Sequence, residues 1–196
     1  MVDTECFEKL KEQSSIAIKT LEREIYDLCE SEFNLNSPKQ LGGVLFEQIG
    51  LPVIKKTKTG YSTDDTTLTK LLDAHPVIAK IQLYRERHKL HSTYIEPLLT
   101  LANNAPDNRI HTSFIQTGTA TGRLSSKNPN LQNIPTRSEL GKEIRGGFIA
   151  KEGYTLLGLD YSQIELRLLA HYSSDATLLD AFSNAKDIHR ETAVKL

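Results

Sequence analysis

No apolar run in the sequence approaches the ~18 residues that a membrane-spanning helix requires. The opening stretch, MVDTECFEKLKEQ, is acidic and lacks the apolar centre of a secretory leader. Cysteine is scarce: Cys6 and Cys29 stand far apart with no second pair near them. That excludes a disulfide framework and a zinc-ligand spacing, and fits reduced thiols. There is no internal repeat and no low-complexity segment. What remains is a chain of 196 residues, 38% hydrophobic and 25% charged, able to bury a core as one domain or two small ones. The expectation is a cytoplasmic protein with no membrane partner.

The net charge of −1 hides a pattern. Residues 1–35 carry a net of −5, residues 36–150 a net of +6, and residues 151–196 a net of −2. A polyanionic partner belongs on the middle of the chain, although uneven surface charge alone gives the same pattern.

Asp3 to Phe33 reads as one long helix capped by Asp3, with Phe7, Leu10, Ala17, Leu21, Ile25 and Leu28 at three- and four-residue steps. The stripe is narrow and needs a partner helix. In NSPKQLGGVLFEQIG, Ser37 caps a short helix, Pro38 fits its first position, Gln40 completes a capping box and Gly50 marks the stop. A loop with Lys55, Lys56 and Lys58 follows. Thr63 or Ser62 caps a helix to about Ala74. Another helix runs from Val77 to about Leu101 and bends near Pro97. Beyond the turn cluster NNAPDNR, IHTSFIQTGTATG alternates like a strand. GGFIA and YTLLGLD read as strands, the second buried on both faces. Gln163 to His171 is helical, and DATLLDAFSNA and DIHRETAVKL are further helices opening on Asp. The change of character near Asn104 divides a helical part, 1–104, from a mixed part, 105–196, and the fold class is α+β. The last helix is still apolar and uncapped at Leu196, so the sequence reads as a fragment.

LLGLDYSQIELRLLAHYS ends an apolar run on Asp160. A carboxylate at the end of a strand is poised for a site. Either it compensates its burial by binding a cation, Mg²⁺ above all, or it caps the helix that follows. TATGRLSSKNPNLQNIPTR gathers Arg123, Asn128, Asn130, Gln132, Asn133 and Arg137. These side chains donate to base edges, sugars and phosphates; the alternative is a polar surface loop. The three lysines suit phosphate contact or simple solvation.

DYSQIELR, Asp160 to Arg167, resembles the first catalytic motif of family A DNA polymerases, the bacterial DNA polymerase I type. TATGRLSSKNPNLQNIPTR resembles the segment that precedes that motif, KDIHRETA the segment that follows it, and NLNSPKQLGGVLFEQIGLPVIKKTKTG the thumb. The resemblance covers essentially the whole chain. It implies a long-helix thumb, 1–104, followed by a partial palm, 105–196, with antiparallel strands and helices. It implies that Asp160 binds both Mg²⁺ ions of the complete enzyme, with the Tyr161 carbonyl as a further ligand. Glu165 is the implied steric gate against a ribose 2′-hydroxyl. Arg123, Asn130, Gln132 and Asn133 are the implied duplex contacts, with Lys55, Lys56 and Lys58 along the thumb tip. His189 and Arg137 are the implied neighbours of the incoming nucleotide. The implied partners are primer–template DNA and a dNTP, and the implied complete enzyme is monomeric. Asp175, Asp180 and Asp187 match no catalytic position of the family. The family's second metal-binding carboxylate and its fingers helix are not in the sequence, so the chain alone is expected to be inactive. The rival readings are a non-catalytic duplex-binding module and a single-subunit RNA polymerase, the latter disfavoured by Glu165.

Overall fold

The computed structural model describes residues 1–58, 60–188, 190 and 193. The chain divides into two compact units, Met1–Tyr154 and Thr155–Leu196. It is rich in helix, with two small antiparallel sheets. Among the described residues no helix is long and apolar enough to cross a membrane.

The first unit is organised by α1, Thr4–Cys29. Asp3 caps it as its spacing foretold, accepting the Cys6 amide at 3.0 Å. Glu30, at φ 51°, ends it in the left-handed conformation. The buried stripe of α1 meets α4, Val77–Leu90. Lys80 pairs with Glu24 at 2.8 Å, and the Tyr84 hydroxyl donates to Glu22 at 3.1 Å. Lys11 pairs with Glu96 at 3.1 Å at the other end, so the two helical rods run antiparallel.

Two groups of buried side chains fill the unit. Ile18, Leu21 and Ile25 pack with Leu41, Leu45, Leu68, Ile78, Ile81 and Tyr84. Phe7 and Leu10 pack with Tyr94, Ile95, Leu98, Ile134 and with Ile144 of α6, Glu139–Gly146. Burying each large side chain contributes roughly 1.5–3 kcal/mol. The second group draws on residues from both sides of Asn104, so packing there runs across the change in composition. At Gly147 an added Cβ would lie 2.4 Å from the Phe7 ring, so the glycine is required by close approach.

Several local expectations are corrected. Ser37 does cap α2, Pro38–Gly43, but the Gln40 side chain accepts the Asn34 amide at 2.7 Å and forms no reciprocal box with Ser37. Asp64, not Ser62 or Thr63, caps α3, Asp65–Thr69; Ser62 and Thr63 are themselves buried. The helix after Pro76 is interrupted ahead of Pro97. A π-helical turn over His91–Ile95 separates α4 from α5, Glu96–Asn104. The extra residue in that turn accommodates the break, and Pro97 falls in the first turn of α5, where its missing N–H costs nothing. The alternating segment forms β3, Ser113–Ile115, paired with β4, Ser125–Lys127. GGFIA contributes only a bridge from Phe148 to Val2. The expected buried strand YTLLGLD is absent: residues 155–160 are not in a strand, and Leu157 and Leu159 are 81% and 86% exposed. A strand exists only through a paired neighbour, and no strand among the described residues pairs with this segment.

Candidate nucleic-acid interface and carboxylate site

In the second unit, α7, Ile164–Ser173, and α8, Ala176–Ser183, pack on one another. Asp175 caps α8 by accepting the Leu178 amide at 2.9 Å. Asp160 and Tyr161 lie exposed ahead of α7. Asp160 is not the helix cap: that position falls to Gln163, in the left-handed conformation at φ 53° and with no side-chain capping bond. This turn separates Asp160 from Glu165, which lies exposed in the first turn of α7. Arg167 clasps the turn. Its Nε donates to the Ser162 carbonyl at 2.8 Å, and its guanidinium lies 4.6 Å from the centre of the Phe182 ring on α8. Sequence reading gave Arg167 no role, although it is the last residue of the motif that carries Asp160.

The Asp160 carboxylate and the Tyr161 carbonyl are hard oxygen donors in the open, the kind Mg²⁺ takes alongside phosphate oxygens and water. Among the described residues no group of three or more His, Cys, Asp or Glu is gathered to hold a metal. The donors therefore fit a cation shared with a phosphate ligand, and do not make a closed cage.

In the first unit, the amide-rich segment is a tightly bonded loop. Asn128 stands at φ 55° before a cis bond to Pro129. The Asn130 side chain accepts from Ser126 Oγ and from the Gln132 amide, each at 3.0 Å. Ser126 Oγ in turn accepts the Leu131 amide at 3.1 Å. Gln132 Nε2 donates to the Leu124 carbonyl at 3.2 Å. The Asn133 carbonyl accepts the Tyr94 hydroxyl at 2.5 Å, which ties the loop to the π-helical turn. Asn130, Gln132, Asn133, Arg123 and Arg137 are exposed. The Asn130 side chain thus shapes the loop, and the exposed Gln132 side chain is braced on it by one bond. A cavity of about 580 Å³ separates this loop from α4 and the π turn, lined by Lys89, Thr93, Tyr94, Asn130, Asn133 and Ser138. Sequence reading missed Ser126 and Tyr94; a hydroxyl buried inside a polar loop leaves no periodic trace.

The lysines belong to a hairpin, β1 Lys56–Thr57 with β2 Gly60–Tyr61. Lys55 Nζ lies 3.0 Å from Asp64 Oδ2. Lys56 Nζ lies 5.6 Å from the centre of the Tyr61 ring. Lys58 is exposed in the turn. Arg85 of α4 braces the hairpin's base, donating to the Thr63 carbonyl and, at 3.1 Å, to Thr63 Oγ1; burial pulls its guanidinium below the usual range. His189 lies outside the described residues.

A sequence profile of DNA polymerase family A matches residues 4–196. DNA polymerase I of Helicobacter pylori is 55% identical over 196 residues, covering all of this chain and 21% of that protein. DNA polymerase I of Bacillus subtilis is 50% identical over 195 residues, covering 98% of this chain and 22% of that protein. The chain therefore spans about a fifth of the length of these relatives. Among solved structures, the POL domain of Pol1 from M. smegmatis, in complex with DNA primer-template and dNTP, superposes with a TM-score of 0.87 at 43% identity, over 96% of this chain and 33% of that one.

Proposed function

The chain belongs to DNA polymerase family A, and from that premise we propose that it is the duplex-holding and first-carboxylate portion of a template-directed DNA polymerase. The observation that carries the reading is the 0.87 superposition on a domain solved with primer-template and dNTP, together with the exposed Asp160 and the basic, amide-rich loop and hairpin. Residues 1–104 act as a helical thumb and residues 105–196 as part of a palm, in a cytoplasmic enzyme that is monomeric when complete.

The chemistry is attack of a primer 3′-hydroxyl on the α-phosphate of a dNTP, which forms a phosphodiester bond, breaks the α–β phosphoanhydride bond and releases pyrophosphate. Asp160 and the Tyr161 carbonyl would hold Mg²⁺, which when bound lowers the pKa of the attacking hydroxyl and offsets charge on the phosphate. Arg167 orients these donors by fixing the Ser162 carbonyl. Glu165 excludes a ribose 2′-hydroxyl. Arg123, Gln132 and Asn133 face the duplex, on a loop whose shape Asn130 sets. Lys55, Lys56 and Lys58 lie along its phosphates, and Arg137 and His189 meet the nucleotide.

The direct test replaces the matching segment of the Helicobacter pylori relative with this chain and measures primer extension. Extension is expected, and Asp160→Asn in the hybrid is expected to lower it about 10³-fold or more, the several kcal/mol a catalytic cation supplies. Retained extension in that variant sinks the assignment of Asp160. Glu165→Ala is expected to raise ribonucleotide incorporation about tenfold, ~1.4 kcal/mol; unchanged discrimination removes the gate. The 196-residue chain alone is expected to bind duplex and extend nothing.

A further inference from the structure

The three hairpin lysines are not equivalent. Lys58 is exposed in the turn, and Lys56 lies against the Tyr61 ring with its charge uncancelled by that neighbour. Lys55 faces a carboxylate 3.0 Å away, and that carboxylate is anchored. Asp64 Oδ1 accepts the Thr67 amide at 2.7 Å as the cap of α3. The Asp64 amide donates to Ser62 Oγ at 3.4 Å. The flanking Ser62, Thr63 and Thr67 are buried, and Arg85 holds Thr63. Hydrogen bonds from Thr67, and then from Lys55, hold the Asp64 carboxyl well below the usual carboxylate range. A fixed anion thus stands beside Lys55.

We infer that Asp64 masks Lys55, so that the hairpin offers a polyanion two effective cations, Lys56 and Lys58, and Asp64 sets the charge of this surface. The inference rests on the reading that the hairpin meets duplex phosphates. An exposed Lys–Asp pair contributes less than ~1 kcal/mol to stability, but its effect on binding is of another kind. Affinity for DNA is driven by release of counterions from neutralised phosphates, with a slope of log K on log salt of about −0.9 per phosphate. A paired lysine displaces no counterion unless it leaves its partner. Leaving would uncover the Asp64 charge, which the α3 cap and Ser62 keep in place, next to the phosphates.

Asp64→Asn tests this cleanly, because Asn caps a helix as well as Asp does and only the charge is lost. The measurement is fluorescence anisotropy of the 196-residue chain with a labelled duplex, over about 50–200 mM salt, with thermal melting to confirm the fold. The expected result is a slope steeper by about 0.9, one added phosphate contact. The double variant Asp64→Asn/Lys55→Met is expected to return to the starting slope. Asp65→Asn removes the same charge one residue on, from a carboxylate that accepts Gln82 Nε2 at 3.0 Å; it is expected to leave the slope where it was. An unchanged slope for Asp64→Asn, or equal steepening by Asp65→Asn, overturns the mask. If Lys56→Met and Lys58→Met both leave the slope of the unsubstituted chain intact, the hairpin does not meet the duplex, and the mask falls with that reading.

Discussion

The bond from the Tyr94 hydroxyl to the Asn133 carbonyl joins the most irregular turn of the long helical rod to the candidate duplex loop. Tyr94→Phe keeps the buried ring, which is 6% exposed and part of the second core group, and removes one donor. A net intramolecular hydrogen bond contributes about 0.5–1.5 kcal/mol, and a partner stranded away from water costs about 1–3 kcal/mol. The bond is only part-buried and Asn133 is exposed, so water can reach the abandoned carbonyl and the lower range applies. The expected loss is about 1 kcal/mol, a fall in Tm of about 2–4 °C for a chain of this size. The loop amides of residues 130–133 should exchange faster with solvent, because the tether and not the core is lost. Duplex affinity should weaken by no more than about fivefold, the same 1 kcal/mol. Thermal melting and amide exchange on the variant decide the matter. An unchanged Tm together with unchanged exchange at residues 130–133 would show that Tyr94 does not hold the loop.

Three other predictions concern the body of the molecule. The Ser14 hydroxyl is buried with no hydrogen-bond partner, so Ser14→Ala should raise stability by about 1 kcal/mol, through relief of that group and better helix propensity; a lower Tm counts against this account. Burial pushes the Cys29 thiol from 9.0 up to about 11 and the Tyr84 phenol from 10.0 up to about 12. The unfolded chain releases these protons first, so the stabilisation is intact below pH 9.0 and is lost as pH rises through about 11 and then about 12. Urea midpoints should fall over that window, and Cys29→Ala should flatten the first part of the fall. Finally, Leu156, Leu157 and Leu159 are exposed in a segment outside any helix or strand, an apolar surface that favours association. Sedimentation should show concentration-dependent self-association that Leu157→Ser reduces, and a monomer at every concentration would contradict this.

Some of this protein was settled locally. The helical stripe of α1, its Asp3 cap, the Ser37–Pro38 start of α2 and the Asp175 cap of α8 are fixed by neighbours within a few residues, so spacing and cap chemistry suffice to read them. The motif around Asp160 is equally local, and it carried the family. Other features needed the folded chain. Whether Tyr154 to Asp160 is a strand depends on a partner strand that the segment's own residues cannot supply. The irregularity of the rod lies just ahead of Pro97, as the proline implies, but its form, a π turn at His91–Ile95 beside α1, is visible only in the folded chain. The cap of α3 falls on Asp64 because Ser62 and Thr63 are drawn into the interior, with Arg85 holding Thr63 from α4. The same displacement sets Asp64 against Lys55. Composition alone counts three equal lysines on that hairpin; the tertiary structure makes one of them half of an ion pair, because charge is cancelled through space and not along the chain.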